Sequence, residues 1–335
     1  MGKLFVPKGY NSVLDIRQTE VAIKKVKDFF EKDLAKQLNL TRVSAPLFVE
    51  CESGLNDNLN GHERPVSFDI KDGGAQTEIV HSLAKWKRMA LKRYGFSAGE
   101  GLYTDMNAVR RDEELDNIHS IFVDQWDWEK VITEGERNLE TLKDTVKKIY
   151  KALKNTEEYI SAEYNFVHKF LADDITFVTT TQLEQMYPNL SSKEREKEIT
   201  KKYGSVFLMQ IGKTLPSGQI HDGRAPDYDD WELNGDIIIY YPLLDISFEL
   251  SSMGIRVDKA ALLRQLKAKN CLDRKKLPFH KALIKGELPL TIGGGIGQSR
   301  MCMLFLGKAH IGEVQSSYWP KKMAKDCAKN GINLL

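Results

Sequence analysis

The sequence lacks the patterns that mark several large classes of protein. None of its apolar runs approaches the roughly 20 residues that a membrane-spanning helix needs, and the first ten residues contain no signal-peptide core. The four cysteines lie far apart and form no CxxC pair, which favours reduced, mostly buried thiols over disulfides. We therefore expect a cytoplasmic protein with no membrane partner.

The chain also lacks an excess of charge of either sign. Its 49 basic and 47 acidic residues leave a formal net charge of +2, whereas a surface that binds tRNA usually shows as a concentrated basic patch. The 335 residues would allow about two domains. We nevertheless expect a single catalytic domain over residues 1–335, in which the helical, Lys/Glu-rich segment 133–203 is a peripheral insertion without chemistry.

Glycine is concentrated near the C-terminus, in TIGGGIGQSR (residues 291–300), where four of five successive positions lack a Cβ. We expect a short strand, a glycine turn that passes close to a ligand, and a helix beginning at Gly297 or Gln298. Arg300 would lie one turn inside this helix and reach the same ligand. A dinucleotide-binding turn is excluded, because Gln298 occupies the third glycine position and only about 35 residues follow.

Three further segments form the expected framework of the fold. Apolar residues recur at helical spacing over residues 19–38. The extended stretch 42–50 contains Pro46, which favours an edge strand against solvent or a second subunit, so a homodimer is expected. Residues 103–110 and 119–128 form a strand pair joined by an acidic loop, with Gln125 and Asp127 on the face opposite two tryptophans.

Polar side chains on other elements complete the candidate site. In residues 245–251, alternation places Asp245, Ser247, Glu249 and Ser251 on one face, which suits a metal–nucleotide site. The helix that follows Ser82 carries five basic residues, mostly as a solvated face, from which an inward-facing one would be an anion ligand. The polar residues 56–61 are expected to form a turn.

Segments 19–50, 103–128 and 291–306 resemble, in this order, the three signature motifs of class II aminoacyl-tRNA synthetases. Several long strings resemble, more narrowly, the ammonia-dependent asparagine synthetase (aspartate-ammonia ligase) family, from about residue 56 to residue 320. The strings, besides residues 291–300, are HSLAKWKR (81–88), FSAGEGLYTDM (96–106), HSIFVDQWDWE (119–129), RAPDYDDW (224–231), LNGDI (233–237) and FELSSMGIRV (248–257). The resemblance implies an α+β fold, a class II synthetase-like core with a mostly antiparallel sheet flanked by helices.

The resemblance also implies a ligase whose substrates are L-aspartate, ATP and ammonia. The aspartate side chain would attack the α-phosphate of ATP, and ammonia would then displace AMP from β-aspartyl-AMP. Arg110 would hold the α-phosphate, and Arg300 would either reach the γ-phosphate or stack on adenine. Mg²⁺ would bind Asp236 with Glu249. The ATP set also includes Ser120 and Gly295.

For aspartate and ammonia, the matching positions in the family pattern supply acids, amides and basic groups. Either Asp57 or Asp229 would deprotonate the incoming ammonium. The positions implied for aspartate are Asp57, Lys87, Gln125, Asp127, Arg224 and Asp229, with Ser82, Ser251 and Arg256 nearby.

Three competing functions are weaker on the sequence. An aspartyl- or asparaginyl-tRNA synthetase carries an N-terminal anticodon-binding barrel, for which a first helix near residue 19 leaves no room. A glutamine-dependent synthetase needs an N-terminal cysteine, whereas position 2 is Gly2, so ammonia is expected as the nitrogen donor. A catalytically inactive paralogue would show gaps among the ligands, yet Arg110, Asp236, Glu249 and Arg300 are all present.

Overall fold

The computed structural model describes residues 4–57, 59, 63–167 and 169–335, and it places helices against two β-sheets. Gly2 and residues 58 and 60–61 of the predicted polar turn lie outside the described residues. The strands are β1 (Leu40–Arg42), β2 (Phe48–Glu50), β3 (Ser67–Asp69), β4 (Gln76–Ile79), β5 (Gly101–Val109), β6 (Phe122–Val131), β7 (Thr176–Thr179), β8 (Ser205–Met209), β9 (Asp229–Tyr241), β10 (Ile246–Arg256) and β11 (Thr291–Gly297). The helices are α1 (Ile16–Leu38), α2 (Ala84–Tyr94), α3 (Leu139–Glu163), α4 (Thr180–Met186), α5 (Ser192–Tyr203), α6 (Lys259–Ala268), α7 (Pro278–Ile284), α8 (Gln298–Phe305) and α9 (Lys321–Lys329).

The larger sheet has eight strands in the order β1-β5-β6-β11-β10-β9-β8-β7. Its two outermost pairs, β1 with β5 and β7 with β8, are parallel, and the pairs between them are antiparallel. The expected mostly antiparallel sheet flanked by helices is confirmed. No helix within the described ranges is both long and apolar enough to cross a bilayer.

One face of this sheet is covered by α1, α3 and α8, which enclose the main hydrophobic core. Trp126 and Trp128 of β6 are fully buried there, and the ring of Trp126 lies 4.9 Å from that of Phe30 in α1. Helix α3 supplies many core residues and β7 forms the last strand of the sheet. Segment 133–203 is therefore part of the core and the sheet, contrary to the expectation of a peripheral insertion.

The predicted strand over residues 42–50 is wrong as a single element. Residues 43–47 are not in a strand, and they connect β1 of the large sheet to β2 of a second sheet with the order β2-β4-β3. Pro46 lies in this connection, where its missing N–H breaks no ladder. β3 and β4 form an antiparallel hairpin, with Ser67 opposite Glu78.

The glycine-rich segment is a strand, not the predicted turn. β11 pairs with β6 on one side and β10 on the other, so it lies near the middle of the large sheet. A Cβ at Gly293 would meet the carboxylate of Glu129, and one at Gly295 would meet the side-chain amide of Gln125. Glycine here makes room for side chains of the neighbouring strand. Helix α8 then begins at Gln298 with Gly297 as its N-cap, as predicted.

Candidate active site

A cavity of about 440 Å³ opens on the sheet face opposite the main core. Its floor is formed by β6, β10 and β11, and its walls by the loops that precede α2 and β9 and by the start of α8. Twelve of the predicted site residues line it: Asp57, Ser82, Arg110, Ser120, Gln125, Asp127, Arg224, Asp229, Glu249, Arg256, Gly295 and Arg300. The other three, Lys87, Asp236 and Ser251, are not among its lining residues.

Two arginines distant in sequence share this cavity. Arg110 directly follows β5, and its Nε is buried without a hydrogen-bond partner among the described residues. Arg300 lies in the first turn of α8, donates to the backbone oxygen of Glu249 over 3.0 Å and lies 3.6 Å from its carboxylate. Burial opposes ionisation of Glu249, but Arg300, Lys193, Arg224 and Arg110 together lower its pKa. Four cationic side chains therefore act on the carboxylate of Glu249.

Asp236 lies just outside the cavity lining, in a salt bridge with Arg224. The Nη2 of Arg224 donates to Asp236 over 2.6 Å, while its Nη1 donates to the hydroxyl of Ser252 over 2.6 Å. Burial, followed by the nearby Glu249, raises the pKa of Asp236 to about 7 although Arg224 lowers it. Asp236 and Glu249 are therefore two buried carboxylates close enough to raise each other's cost of ionisation, although cationic side chains surround them.

The position of Ser251 differs from the prediction because β10 contains a β-bulge. Glu249 pairs with Ile238 of β9, but Ser251 pairs with Ile237, which shifts the register by one residue. The alternation predicted for residues 245–251 therefore fails after Glu249. Ser252, opposite Asp236, takes the cavity side, and it replaces Ser251 as the candidate hydroxyl.

Lys87 lies beneath the floor of the cavity and is fully buried. Its ammonium forms an ion pair with Asp127 and donates to the backbone oxygens of Trp128 and Gly294 over 2.8 and 3.2 Å. Burial lowers the pKa of Lys87, against the effect of Asp127 and Glu129. Lys87 therefore acts on the cavity through Asp127, whose carboxylate also accepts from the backbone N–H of Leu83 over 3.2 Å.

The basic face of α2 is mostly buried, contrary to the expectation of a solvated face. Lys85, Lys87 and Arg88 are each at most 2% exposed, whereas Lys92 and Arg93 are exposed. Arg88 donates to the backbone oxygen of Val257, just before α6, over 2.7 Å, and to that of Pro289, just before β11, over 2.8 Å. It thereby joins α2 to both of these loops. These buried cations hold the cavity walls together.

The two candidate proton acceptors have different surroundings. Asp229 forms an ion pair with Arg256 and lies 3.9 Å from Arg224. Asp57 is 3% exposed and accepts hydrogen bonds from the backbone N–H of Leu59 over 2.9 Å and from the hydroxyl of Tyr228 over 3.1 Å. Burial raises the pKa of Asp57. Asp57 is therefore the acid better suited to take up a proton.

Sequence reasoning missed several polar residues of the cavity, among them Lys193, Tyr228 and Ser252. Lys193 comes from α5, in the segment to which no chemistry was assigned, and nothing in the sequence distinguishes it from neighbouring lysines. Tyr228 lies within the quoted string of residues 224–231, and Ser252 depends on a bulge that local alternation cannot reveal.

Comparison with known proteins agrees with the sequence resemblance. The family described as aspartate-ammonia ligase matches residues 17–331. The aspartate–ammonia ligase of Ruminiclostridium cellulolyticum is 64% identical over 336 aligned positions that cover 100% of both chains. That of Clostridium tetani is 65% identical, over 99% of this chain and 98% of the other.

Solved structures with much lower identity share the fold. Asparaginyl-tRNA synthetase from Pyrococcus horikoshii, complexed with asparaginyl-adenylate, has a TM-score of 0.66 at 15% identity and matches 91% of this chain and 71% of its own. Aspartyl-tRNA synthetase from Entamoeba histolytica has a TM-score of 0.60 at 15% identity, over 90% and 59% of the two chains. The chain thus has a class II synthetase-like fold. With matches to relatives along its whole length, the chain belongs to the aspartate-ammonia ligase family.

Proposed function

We propose that this protein makes L-asparagine from L-aspartate, ammonia and ATP, through a β-aspartyl-AMP intermediate, and releases AMP and pyrophosphate. The observation that carries the proposal is the presence of Arg110 and Arg300 in one cavity with the buried acid Asp57. Family membership agrees with this reaction. The relatives' names state the ligase activity, and the cavity supplies groups for both of its steps.

The first step activates a carboxylate, which is otherwise a poor acyl donor because its leaving group would be oxide. An oxygen of the aspartate side chain bonds to the α-phosphorus of ATP, and the bond to the departing pyrophosphate breaks. Arg110 holds the α-phosphate, and Arg300 holds the γ-phosphate or stacks on adenine. Fixed cations that bring two anions together and neutralise the developing charge lower the barrier without later reorganisation.

A magnesium ion fits the carboxylates beside these arginines. Asp236 and Glu249 lie on adjacent strands, and after burial the nearby carboxylate of Glu249 contributes to the raised pKa of Asp236. Mg²⁺ commonly takes one or two protein carboxylates and keeps several waters, so this pair with ATP oxygens is sufficient. When bound, the ion would neutralise phosphate charge. Ser120 and Gly295 complete the proposed ATP contacts.

The aspartate substrate is proposed to lie over β6 and β10. Arg224 and Arg256 would pair with its carboxylates, and Asp127 and Asp229 with its ammonium group. Ser82, Gln125 and Ser252 supply neutral hydrogen bonds at the edge of this area. Lys87 would keep Asp127 in place from beneath the floor.

In the second step, Asp57 removes a proton from ammonium. The ammonia nitrogen then bonds to the β-carbonyl carbon of β-aspartyl-AMP, and the carbon–oxygen bond to AMP breaks with its electron pair going to AMP. The nitrogen gives up a second proton to water, which leaves the neutral amide. A buried carboxylate with a raised pKa is a suitable proton acceptor. Asp229, which forms an ion pair with Arg256, is better suited to orient the substrate.

We further propose that the chain is a single catalytic domain and that it works as a cytoplasmic homodimer. Leu47, Phe48 and Phe68 are 48, 41 and 37% exposed around the small sheet, and such adjoining apolar side chains favour a protein contact. Light scattering tests the dimer, and Phe48→Asp is expected to shift the mass towards that of a monomer.

The proposed cytoplasmic location agrees with the four free cysteines, two of them buried, because free thiols suit a reducing compartment.

The experiment that tests the function uses purified protein with ATP, Mg²⁺, aspartate and ammonium. AMP and asparagine should form in equal amounts, and omission of any one substrate should abolish both. Replacing ammonium with glutamine should give no asparagine. A tRNA control addresses the activity of the structural neighbours, and aminoacylated tRNA without free asparagine would overturn the proposal.

A further inference from the structure

A cluster of buried charged and polar groups lies behind Asp57, outside the cavity lining. One oxygen of Asp227 is the common partner: the Nζ of Lys85 lies 3.5 Å away, the Nε2 of His280 3.0 Å and the Nη1 of Arg274 3.1 Å. Lys85, Asp227 and His280 are at most 2% exposed. Side chains from α2, from α7 and from the segment before α7 therefore meet at one buried carboxylate in the loop before β9.

Such a cluster needs a reason, because the cost of burying an ion pair often exceeds its Coulomb gain. Lys85, Asp227, Arg274 and His280 do not line the cavity, so direct contact with substrate does not account for them. Asp227 is, however, directly followed by Tyr228, whose hydroxyl donates to Asp57 over 3.1 Å. The cluster is thus connected to Asp57 through the backbone from Asp227 to Tyr228 and the hydroxyl of Tyr228.

We infer that Lys85, anchored by Asp227, is a positioning residue for the carboxylate of Asp57 that accepts the proton of ammonium. The inference rests on the proposed function. Lys85 is held by Asp227, the residue before Tyr228, and so lies behind a carboxylate that Leu59 and Tyr228 hold with neutral hydrogen bonds. Without this cation, the ionised form of Asp57 would lie in a buried site with Asp227 as a second negative charge.

The charged and titratable groups around Asp57 act in opposite directions. Burial raises its pKa most, Lys85 of α2 lowers it, and Asp227 raises it again. Tyr228 donates to the carboxylate, and the ring of His81 donates to the backbone oxygen of Asp57 over 3.0 Å. His280 and Arg274 face Asp227. Asp229 and Arg224 act on Tyr228. The charges of Lys85 and Asp227 can thus be removed separately, with opposite expected effects.

The test compares the pH dependence of asparagine formation in Lys85→Met and Asp227→Asn. Loss of the Lys85 charge should move the acid limb of the profile to higher pH, because Asp57 then stays protonated over a wider range. Loss of the Asp227 charge should move it to lower pH. A pKa shift of about one unit, the lower end of what a neighbouring charge produces, corresponds to about a tenfold change in rate on the limb. The titration of ammonium itself is common to all variants and cancels in the comparison.

Aspartate-dependent pyrophosphate exchange separates this role from a merely structural one, because adenylation does not use the proton acceptor. Exchange should stay unchanged in both variants, and Lys85→Arg should restore the normal profile. Lys92→Met is the matched control on α2, since Lys92 is exposed and pairs only weakly with Glu287 at 3.9 Å.

The inference is overturned if the wild-type protein is active but the variants lose pyrophosphate exchange and asparagine formation to the same extent, with no shift in the pH dependence of asparagine formation. If Lys85→Met does not fold, Asp227→Asn decides, and an unshifted limb there overturns the inference. A wild-type protein without ammonium-dependent activity would instead count against the proposed function.

Discussion

Replacing Arg300 by alanine removes one of the four cations that act on Glu249. The side chain of Arg300 is 21% exposed and makes one 3.0 Å hydrogen bond to the backbone of Glu249, so few contacts of the fold depend on it. A charge-assisted hydrogen bond to a phosphate contributes about 1.5–3 kcal/mol. Its loss should raise the ATP concentration needed for half-maximal rate by about 10- to 150-fold.

The assay is aspartate-dependent exchange of pyrophosphate into ATP, measured over a range of ATP concentrations. Arg300→Lys should lie between alanine and wild type, because a lysine keeps the charge without the planar fork of donors. Arg93→Ala, at an exposed position of α2, is the matched control and should behave as wild type. Thermal unfolding checks the fold of each variant. An unchanged ATP dependence in Arg300→Ala would remove Arg300 from the nucleotide site.

Three further changes test other parts of the account. Asp57→Asn should keep pyrophosphate exchange and lose asparagine formation, and loss of both would assign Asp57 to substrate binding. Lys193→Gln should raise the KM for ATP severalfold with a smaller change in kcat. Lys197→Gln is the control, because Lys197 lies on the same helix but pairs with Asp245, and it should change neither constant. Equal behaviour of the two variants would contradict a role for Lys193. Burial lowers the pKa of His310 to about 4, so its neutral form stabilises the fold above pH 6.5. This contribution, at most about 3 kcal/mol, is lost as the pH falls towards 4. Denaturant unfolding of His310→Asn should therefore show a weaker acid dependence than that of the wild type, and an equal dependence would contradict this role of His310.

The elements that the sequence predicted well are those with a strong local pattern. The first helix, the strand pair of β5 and β6 and the start of α8 at Gln298 follow from periodicity and from the glycines that precede the helix. The glycine segment itself was misassigned as a turn. Its glycines serve strand packing, because the side chains of Glu129 and Gln125 fill the space where a Cβ would lie, and this depends on a partner strand far away in the sequence.

The errors at the site have the same physical origin. The bulge in β10 exchanges Ser251 for Ser252, and a bulge is a property of pairing between strands rather than of one strand's alternation. Lysine is usually exposed, so the sequence favours a solvated position for the lysines of α2. Lys85 and Lys87 are nevertheless buried, because they pair with Asp227 in the loop before β9 and with Asp127 of β6. Lys193 lines the cavity only because its segment joins the sheet.

The central claim is that the cavity transfers AMP to the side-chain carboxylate of aspartate before ammonia attacks. Aspartate labelled with oxygen-18 in this carboxylate tests it directly, with mass spectrometry of the AMP formed during asparagine synthesis. The account predicts one labelled oxygen in each AMP, since the bridging oxygen of β-aspartyl-AMP leaves with the phosphate. Unlabelled AMP from a reaction that produces asparagine would contradict it.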